Sequence, residues 1–172
     1  YETGAHIARV GHYAHLIAQG LQLSAQDQAL VLDAAAMHDI GKVGIPDHIL
    51  LKPGPLTAAE FEVMKTHTTI GFDSIVRAEK ALGVQVDFLM LAKEIALSHQ
   101  EKWDGSGYPQ GLVGDAIPLS ARLMAVADVY DALTSRRAYK EPWSAEQVAD
   151  LLRKESGHHF DPELVDIALE LQ

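Results

Sequence analysis

Apolar residues recur along this chain at helical spacing. Ile7, Val10, Ala14, Ile17 and Leu21 fall three or four positions apart and mark one face of a helix. A second helical run follows Ser24, which has Asp27 three residues on in the manner of a weak capping box. Thr57-Ala58-Ala59-Glu60 is a better capping box and opens a segment holding Phe61 and Met64. Further helices fit residues near 69–81, 85–100, 119–136, 145–155 and 162–171. The last is entered through Asp161 as cap, with Pro162 at the first helical position. No strand-like alternation of useful length interrupts these runs, so the predicted fold class is all-α, a single helical bundle. Two stretches break the pattern, Gly41 to Pro55 and Glu101 to Pro118, both rich in glycine and proline. Loops of this length in a compact helical domain are usually functional.

With 172 residues and 48% hydrophobic content, the chain can bury a core of its own, and one domain over residues 1–172 is expected. Internal repeats, low-complexity tracts and interdomain linkers are absent. There is no cysteine, which removes a disulfide framework, a thiolate nucleophile and every thiolate metal site together. No stretch approaches the ~20 apolar residues of a membrane span, and the N-terminus lacks a signal-peptide pattern, so a cytoplasmic location is expected. The chain begins with Tyr1 rather than Met and reads as a piece of a longer protein whose preceding part is missing. A net charge of −10 argues against binding DNA or RNA polymers. It does not exclude a small phosphorylated substrate, because bound divalent cations reverse the field locally.

The chemistry lies in Glu2, His6, His38, Asp39, His67, His99 and Asp128. Imidazoles and carboxylates without thiols are the donors of hydrolytic, oxygen-rich metal centres. His38 and Asp39 end the apolar stretch Leu30 to Met37, which puts them at the C-terminal edge of a predicted buried helix. Neighbours on a helix point roughly 100° apart, so the pair can serve two metals with the carboxylate as bridge. A core histidine oriented by a neighbouring acid explains that pair equally well. Asp128 lies within the apolar run Met124 to Val129, where a buried carboxylate would need a cation or donors. Each residue alone has a salt-bridge explanation; one metal site explains them all.

Several longer motifs carry a family resemblance. Glu2-Thr3-Gly4-Ala5-His6, His38-Asp39-Ile40-Gly41-Lys42, Lys65-Thr66-His67, Leu97-Ser98-His99, Trp103-Asp104-Gly105-Ser106-Gly107-Tyr108-Pro109 and Ala127-Asp128 through Arg137 stand in the order of the HD-GYP domain, which the chain closely resembles from residue 2 to about 165. That family belongs to the HD superfamily of metal-dependent phosphohydrolases. The resemblance implies an all-helical bundle of the HD type with a metal centre in its core. The implied activity is hydrolysis of cyclic di-GMP, a cyclic dinucleotide, to linear pGpG, GMP or both by a metal-bridging hydroxide. It assigns His38, Asp39 and Asp128 to the heart of the site, with Asp39 bridging two metals. His67 and His99 would complete the second metal, while Glu2 and His6, at i and i+4, would add a third or close the first. Two divalent ions are expected and a third is allowed, iron or manganese foremost, with nickel, zinc and magnesium as alternatives.

The same resemblance gives Lys42 a phosphate oxygen or the departing 3′ oxygen, with a solvated loop lysine as the alternative. Arg137 and Lys140 would engage phosphate, and Asp131 would lie near a base or a basic partner. Gly105, Gly107 and Tyr108 would face the ligand, although a glycine loop can equally be a tight connection. Arg136 is expected at the surface, as are His12, His15, His48, His158 and His159, or else in helix packing with Trp103 and Trp143. One residue departs from the pattern: Gln100 stands where most members carry a second histidine on the metal of His67 and His99. Its amide oxygen is a weaker ligand for middle transition metals, though harder ions accept it. That departure keeps open a catalytically weak cyclic-dinucleotide sensor; an HD hydrolase of another phosphorylated nucleotide is the third reading. The resemblance also implies an upstream regulatory domain and GGDEF-type protein partners.

Overall fold

A computed structural model describes residues 4–172. Among them the fold is all-α. The helices run α1 Gly4–Gly20, α2 Ala25–Ala34, α3 Asp47–Leu50, α4 Ala58–Lys65, α5 His67–Leu82, α6 Asp87–Ser98, α7 Leu119–Thr134, α8 Ala145–Glu155 and α9 Pro162–Glu170. Local chemistry sets several of these boundaries. The Ser24 hydroxyl accepts from the Asp27 N–H and Asp161 from the Glu163 N–H, while Thr57 with Glu60 and Ser144 with Gln147 form reciprocal capping boxes.

Helix α7 is the axis of the bundle. Nine of its sixteen residues are buried, so it is covered around most of its circumference by α1, α6, α8 and α9. Alanines make that possible: Ala14 and Ala18 on α1, Ala92 and Ala96 on α6, and Ala121 and Ala127 on α7 are all within 1% of complete burial. Small side chains let backbones approach, while Leu123, Leu152, Phe160 and Leu164 fill the remaining volume.

Two expectations change. The stretch Leu30 to Met37 is not one buried helix. Val31, Ala34 and Ala35 are buried but Leu32 is 39% exposed, because α2 lies on the surface of α1 and α6. The helix tightens into a 3₁₀ turn at Ala35–Met37, and His38 and Asp39 occupy the junction before a second 3₁₀ turn, Ile40–Gly44. The segment from Gly41 to Pro55 is accordingly not an open loop, since that turn and α3 fill most of it. Here close approach dictates the residue. A Cβ on Gly41 would lie 1.8 Å from the His67 carbonyl oxygen and 2.5 Å from the Gly71 amide nitrogen. Only glycine lets this turn press onto the first turns of α5.

The stretch from Glu101 to Pro118 has little regular structure, yet it is tied down at several points. Glu101, 2% exposed, accepts from the N–H groups of Gln110 and Leu112 at 2.8 and 3.1 Å. Trp103 and Asp104 donate their N–H groups to the His159 and His158 carbonyls. His159 itself stacks on Phe160 at a centroid distance of 4.1 Å. Burial, with Lys102 nearby, lowers its imidazolium from 6.5 to about 4. Between those values the unfolded chain takes up a proton that the folded one refuses, so stability is lost as pH falls through the window. In urea titrations at pH 7 and pH 4, we expect the wild type to lose on the order of 2 kcal/mol more than His159→Gln. Equal losses in the two proteins would overturn the assignment.

Candidate metal centre

The centre gathers at one end of the bundle, where α1, the junction after α2, the start of α5, the end of α6 and the middle of α7 meet. His6, His38 and Asp128 form one cluster of donor atoms lying within 4.8 Å of one another, and Asp39, His67 and His99 form a second. The carboxylate of Asp39 connects them: its Oδ2 lies 3.0 Å from His38 Nε2, and its Oδ1 lies 3.2 Å from Nε2 of both His67 and His99. On the other side, Asp128 Oδ1 is 3.5 Å from His6 Nε2 and 3.7 Å from His38 Nε2.

The orientation of the imidazoles follows from their other nitrogen. His38, His67 and His99 each direct Nδ1 to a carbonyl of their own or the preceding turn, those of Ala35, Met64 and Ile95, at 2.8, 2.7 and 2.9 Å. A carbonyl oxygen only accepts, so Nδ1 carries the proton and Nε2 presents its lone pair inward. His6 directs Nδ1 to Asp131 Oδ2 at 2.5 Å and turns Nε2 toward Asp128. The four rings therefore converge with the same polarity.

That polarity tests whether a cation fits. His67 Nε2 and His99 Nε2 stand 3.5 Å apart, each 3.2 Å from a carboxylate oxygen. Three acceptors so close repel one another unless positive charge lies between them. The nitrogen and carboxylate donors suit a divalent cation of the iron, manganese, nickel or zinc kind.

Asp131 is 1% exposed and fully engaged: besides His6 it accepts from Arg9 Nε at 2.5 Å and from the Ser135 hydroxyl at 2.8 Å. Burial pushes its carboxyl up, but hydrogen bonds from Arg9, His6 and Ser135 outweigh this and hold it below the usual carboxylate range. The basic partner expected for Asp131 is thus Arg9, a residue the sequence reading missed. The sequence signal was available, since Arg9 follows His6 by three residues on the same helical face.

Asp128 is not sealed in an apolar layer. Its side chain is 26% exposed at the edge of a cavity of about 660 Å³, because that stripe of α7 faces the opening rather than a neighbouring helix. His6, Asp39, Lys42, Gln100, Arg137 and Lys140 line the same cavity, and so does Arg136, which is at the surface as expected, its side chain 81% exposed. Lys42 Nζ is 2.9 Å from Asp39 Oδ2.

Tyr108 stands on another side, edge-on to His67 at 6.5 Å between ring centroids and beside Phe61 and Lys65. Burial, with the negative charge of Asp39, raises its hydroxyl to about 12, so it stays protonated at neutral pH. A Cβ on Gly107 would fall 2.4 Å from the Lys102 nitrogen and 2.5 Å from the Gln100 carbonyl oxygen, so this glycine serves the chain's own close packing. Gly105 likewise packs beside Val113. Glu2 lies outside the described residues. His12, His48 and His158 are exposed, while His15 meets a backbone carbonyl.

A family model described as an HD domain matches residues 3–164. The chain is 52% identical over 176 residues to a probable cyclic di-GMP phosphodiesterase of Vibrio cholerae, a match covering 98% of this chain and 40% of that protein. It is 46% identical over 169 residues to a 3′3′-cGAMP-specific phosphodiesterase of the same organism, covering 98% of this chain and 31% of that protein. The crystal structure of a cyclic GMP-AMP-specific phosphodiesterase of V. cholerae shares the fold, with a TM-score of 0.68 at 21% identity over 96% of this chain and 43% of that one. The chain thus spans less than half the length of these relatives.

Two variants probe the centre by metal content. Asp131→Asn replaces the carboxylate that orients His6, and metal affinity should fall about 10- to 100-fold; unchanged affinity in competition with a chelator would remove its orienting role. Gln100→His adds an imidazole at the cavity, and metal bound per chain after limited reconstitution should rise. Equal occupancy in the variant and wild type would count against Gln100 as a weak point of the centre.

Proposed function

The chain belongs to the HD domain family, in the HD-GYP group that its motifs resemble, and on that footing we propose that it is a metal-dependent phosphodiesterase opening cyclic di-GMP to pGpG, GMP or both. The observation that carries this reading is a cavity lined by His6 and Asp128 of one cluster of metal-competent donors, by Asp39 of the other, and by the cations Lys42, Arg137 and Lys140. Donors alone would suit any metalloprotein; cations beside them suit a phosphate anion.

In this proposal His6, His38 and Asp128 hold one cation and His67 with His99 the other, and Asp39 is shared between them. Glu2 is assigned to closing the first site or to a third ion. When bound, two such cations polarise a phosphodiester and bring the pKa of water toward neutrality. The protein's own groups do the rest. Asp131 fixes the tautomer and direction of His6. Lys42 keeps its ammonium beside Asp39, where it can neutralise a phosphate oxygen and give a proton to the departing 3′ oxygen. Arg137 offers a planar fork to the phosphate and Lys140 a point charge. The Tyr108 hydroxyl remains a donor throughout the neutral range. Iron or manganese is the proposed metal.

A second reading draws on Gln100. A neutral amide lines the cavity with Asp39, which favours a form that binds the dinucleotide while turning it over slowly. The 3′3′-cGAMP relative gives a second candidate substrate. We also propose one phosphohydrolase domain over residues 1–172, acting in the cytoplasm of the cell with an upstream regulatory module and GGDEF-type partners. Among the described residues no helix is long and apolar enough to cross a membrane.

The decisive assay follows cyclic di-GMP chromatographically after anaerobic reconstitution with iron or manganese, with metal measured on the same sample. We expect turnover by the wild type and a fall to background in Asp39→Ala. Binding without turnover at two metals per chain would favour the sensor, and turnover of 3′3′-cGAMP alone would reassign the substrate.

A further inference from the structure

Immediately beyond α7 the chain doubles back on itself. The Arg137 N–H donates to the Lys140 carbonyl at 3.3 Å, and the Lys140 N–H returns a bond to the Arg137 carbonyl at 3.2 Å. These bonds close a tight turn with Ala138 and Tyr139 at its tip. The two bonds between Arg137 and Lys140 are made by backbone alone, so no side chain is needed to close the turn. The Tyr139 side chain is accordingly left over: the residue is 102% exposed. The other tyrosines among the described residues are used in packing. Tyr13 and Tyr130 meet edge to face at 4.9 Å, and Tyr108 packs beside His67. An aromatic ring held in water forfeits the burial that its area could supply, and a ring so placed is available to a flat partner.

The location narrows the partner. The turn borders the same cavity as Asp39 and Asp128, so Tyr139 belongs to the wall of the proposed active site rather than to a remote surface. Along the turn the side chains run cation, methyl, aromatic ring, cation. Lys140 Nζ lies 5.1 Å from the Trp143 ring, which braces that end of the turn. Ala138, with a single methyl, leaves the neighbourhood of the Tyr139 ring open. A nucleotide has the complementary order, a phosphate joined through a sugar to a planar base.

We propose that Tyr139 is a nucleobase-stacking residue that takes one purine of a cyclic dinucleotide while Arg137 and Lys140 meet its phosphate. This rests on the phosphodiesterase reading of the site and adds the contact that recognises the nucleoside. Stacking on an aromatic face is tolerant of base identity. Tyr139 therefore supplies affinity to guanine and adenine alike and leaves the choice between cyclic di-GMP and 3′3′-cGAMP to other groups.

The test is steady-state kinetics of metal-loaded wild type, Tyr139→Ala and Tyr139→Phe with cyclic di-GMP, with metal content measured on each. Tyr139→Ala should raise KM about tenfold or more, the effect of losing one stacked base, at unchanged metal content and nearly unchanged kcat. Tyr139→Phe, which keeps the ring and loses only the hydroxyl, should restore KM to within about twofold of wild type. A wild-type KM in Tyr139→Ala would overturn the inference and leave the phosphodiesterase reading standing. So would a Tyr139→Phe variant as impaired as Tyr139→Ala, since the hydroxyl would then be the active part. A wild type that neither binds nor hydrolyses a cyclic dinucleotide would remove both.

Discussion

Mutual repulsion among lone pairs is the constraint on which this structure turns. Asp39 Oδ1 is held 3.2 Å from the Nε2 atoms of His67 and His99, which are 3.5 Å from each other. A divalent cation relieves that repulsion at once, because every donor in the group points at it. The repulsion is a cost of holding the ligands ready, and the bundle must supply the free energy to maintain it.

That free energy comes from the buried contacts of α7 with the helices around it and from the alanines that let them close together. The site takes little from the core directly. Asp128 is the one member of the two donor clusters that α7 provides, and it stands where the packing stops. The turn at Ile40–Gly44 then brings Asp39 against α5, and only the hydrogen atom of Gly41 fits between that turn and the His67 carbonyl. Packing thus reaches Asp39 through the close approach of two backbones.

Much of this was legible in the sequence. Helical periodicity located α1, α5, α6, α7, α8 and α9, and side-chain caps marked where α2, α4 and α9 begin. Motif order named His6, His38, Asp39, His67, His99 and Asp128 as candidates, and in three dimensions they fall into two adjoining clusters. What escaped was tertiary in origin. No periodic signal reports that Ala35–Met37 tightens into a 3₁₀ turn, or that the stripe of α7 bearing Asp128 faces an opening. Glu101 was not singled out, and only the N–H groups of Gln110 and Leu112 that it accepts from reveal it as a buried group. Gly107 was read for a ligand, whereas the backbone at residues 100–102 is what it accommodates.

Three of the four histidines are aimed by carbonyls of their own or the preceding turn, and the fourth by a carboxylate on α7, the helix packed against its own. None takes its bearing from the Arg137–Lys140 turn or from the loop of Tyr108. The molecule therefore separates a floor of donors from a rim that is built independently of it. On the proposed function, changes in the rim would alter which dinucleotide is held without disturbing the donors beneath it. Such a division gives a physical route by which one scaffold could diverge among chemically related messengers while its metal chemistry stayed constant.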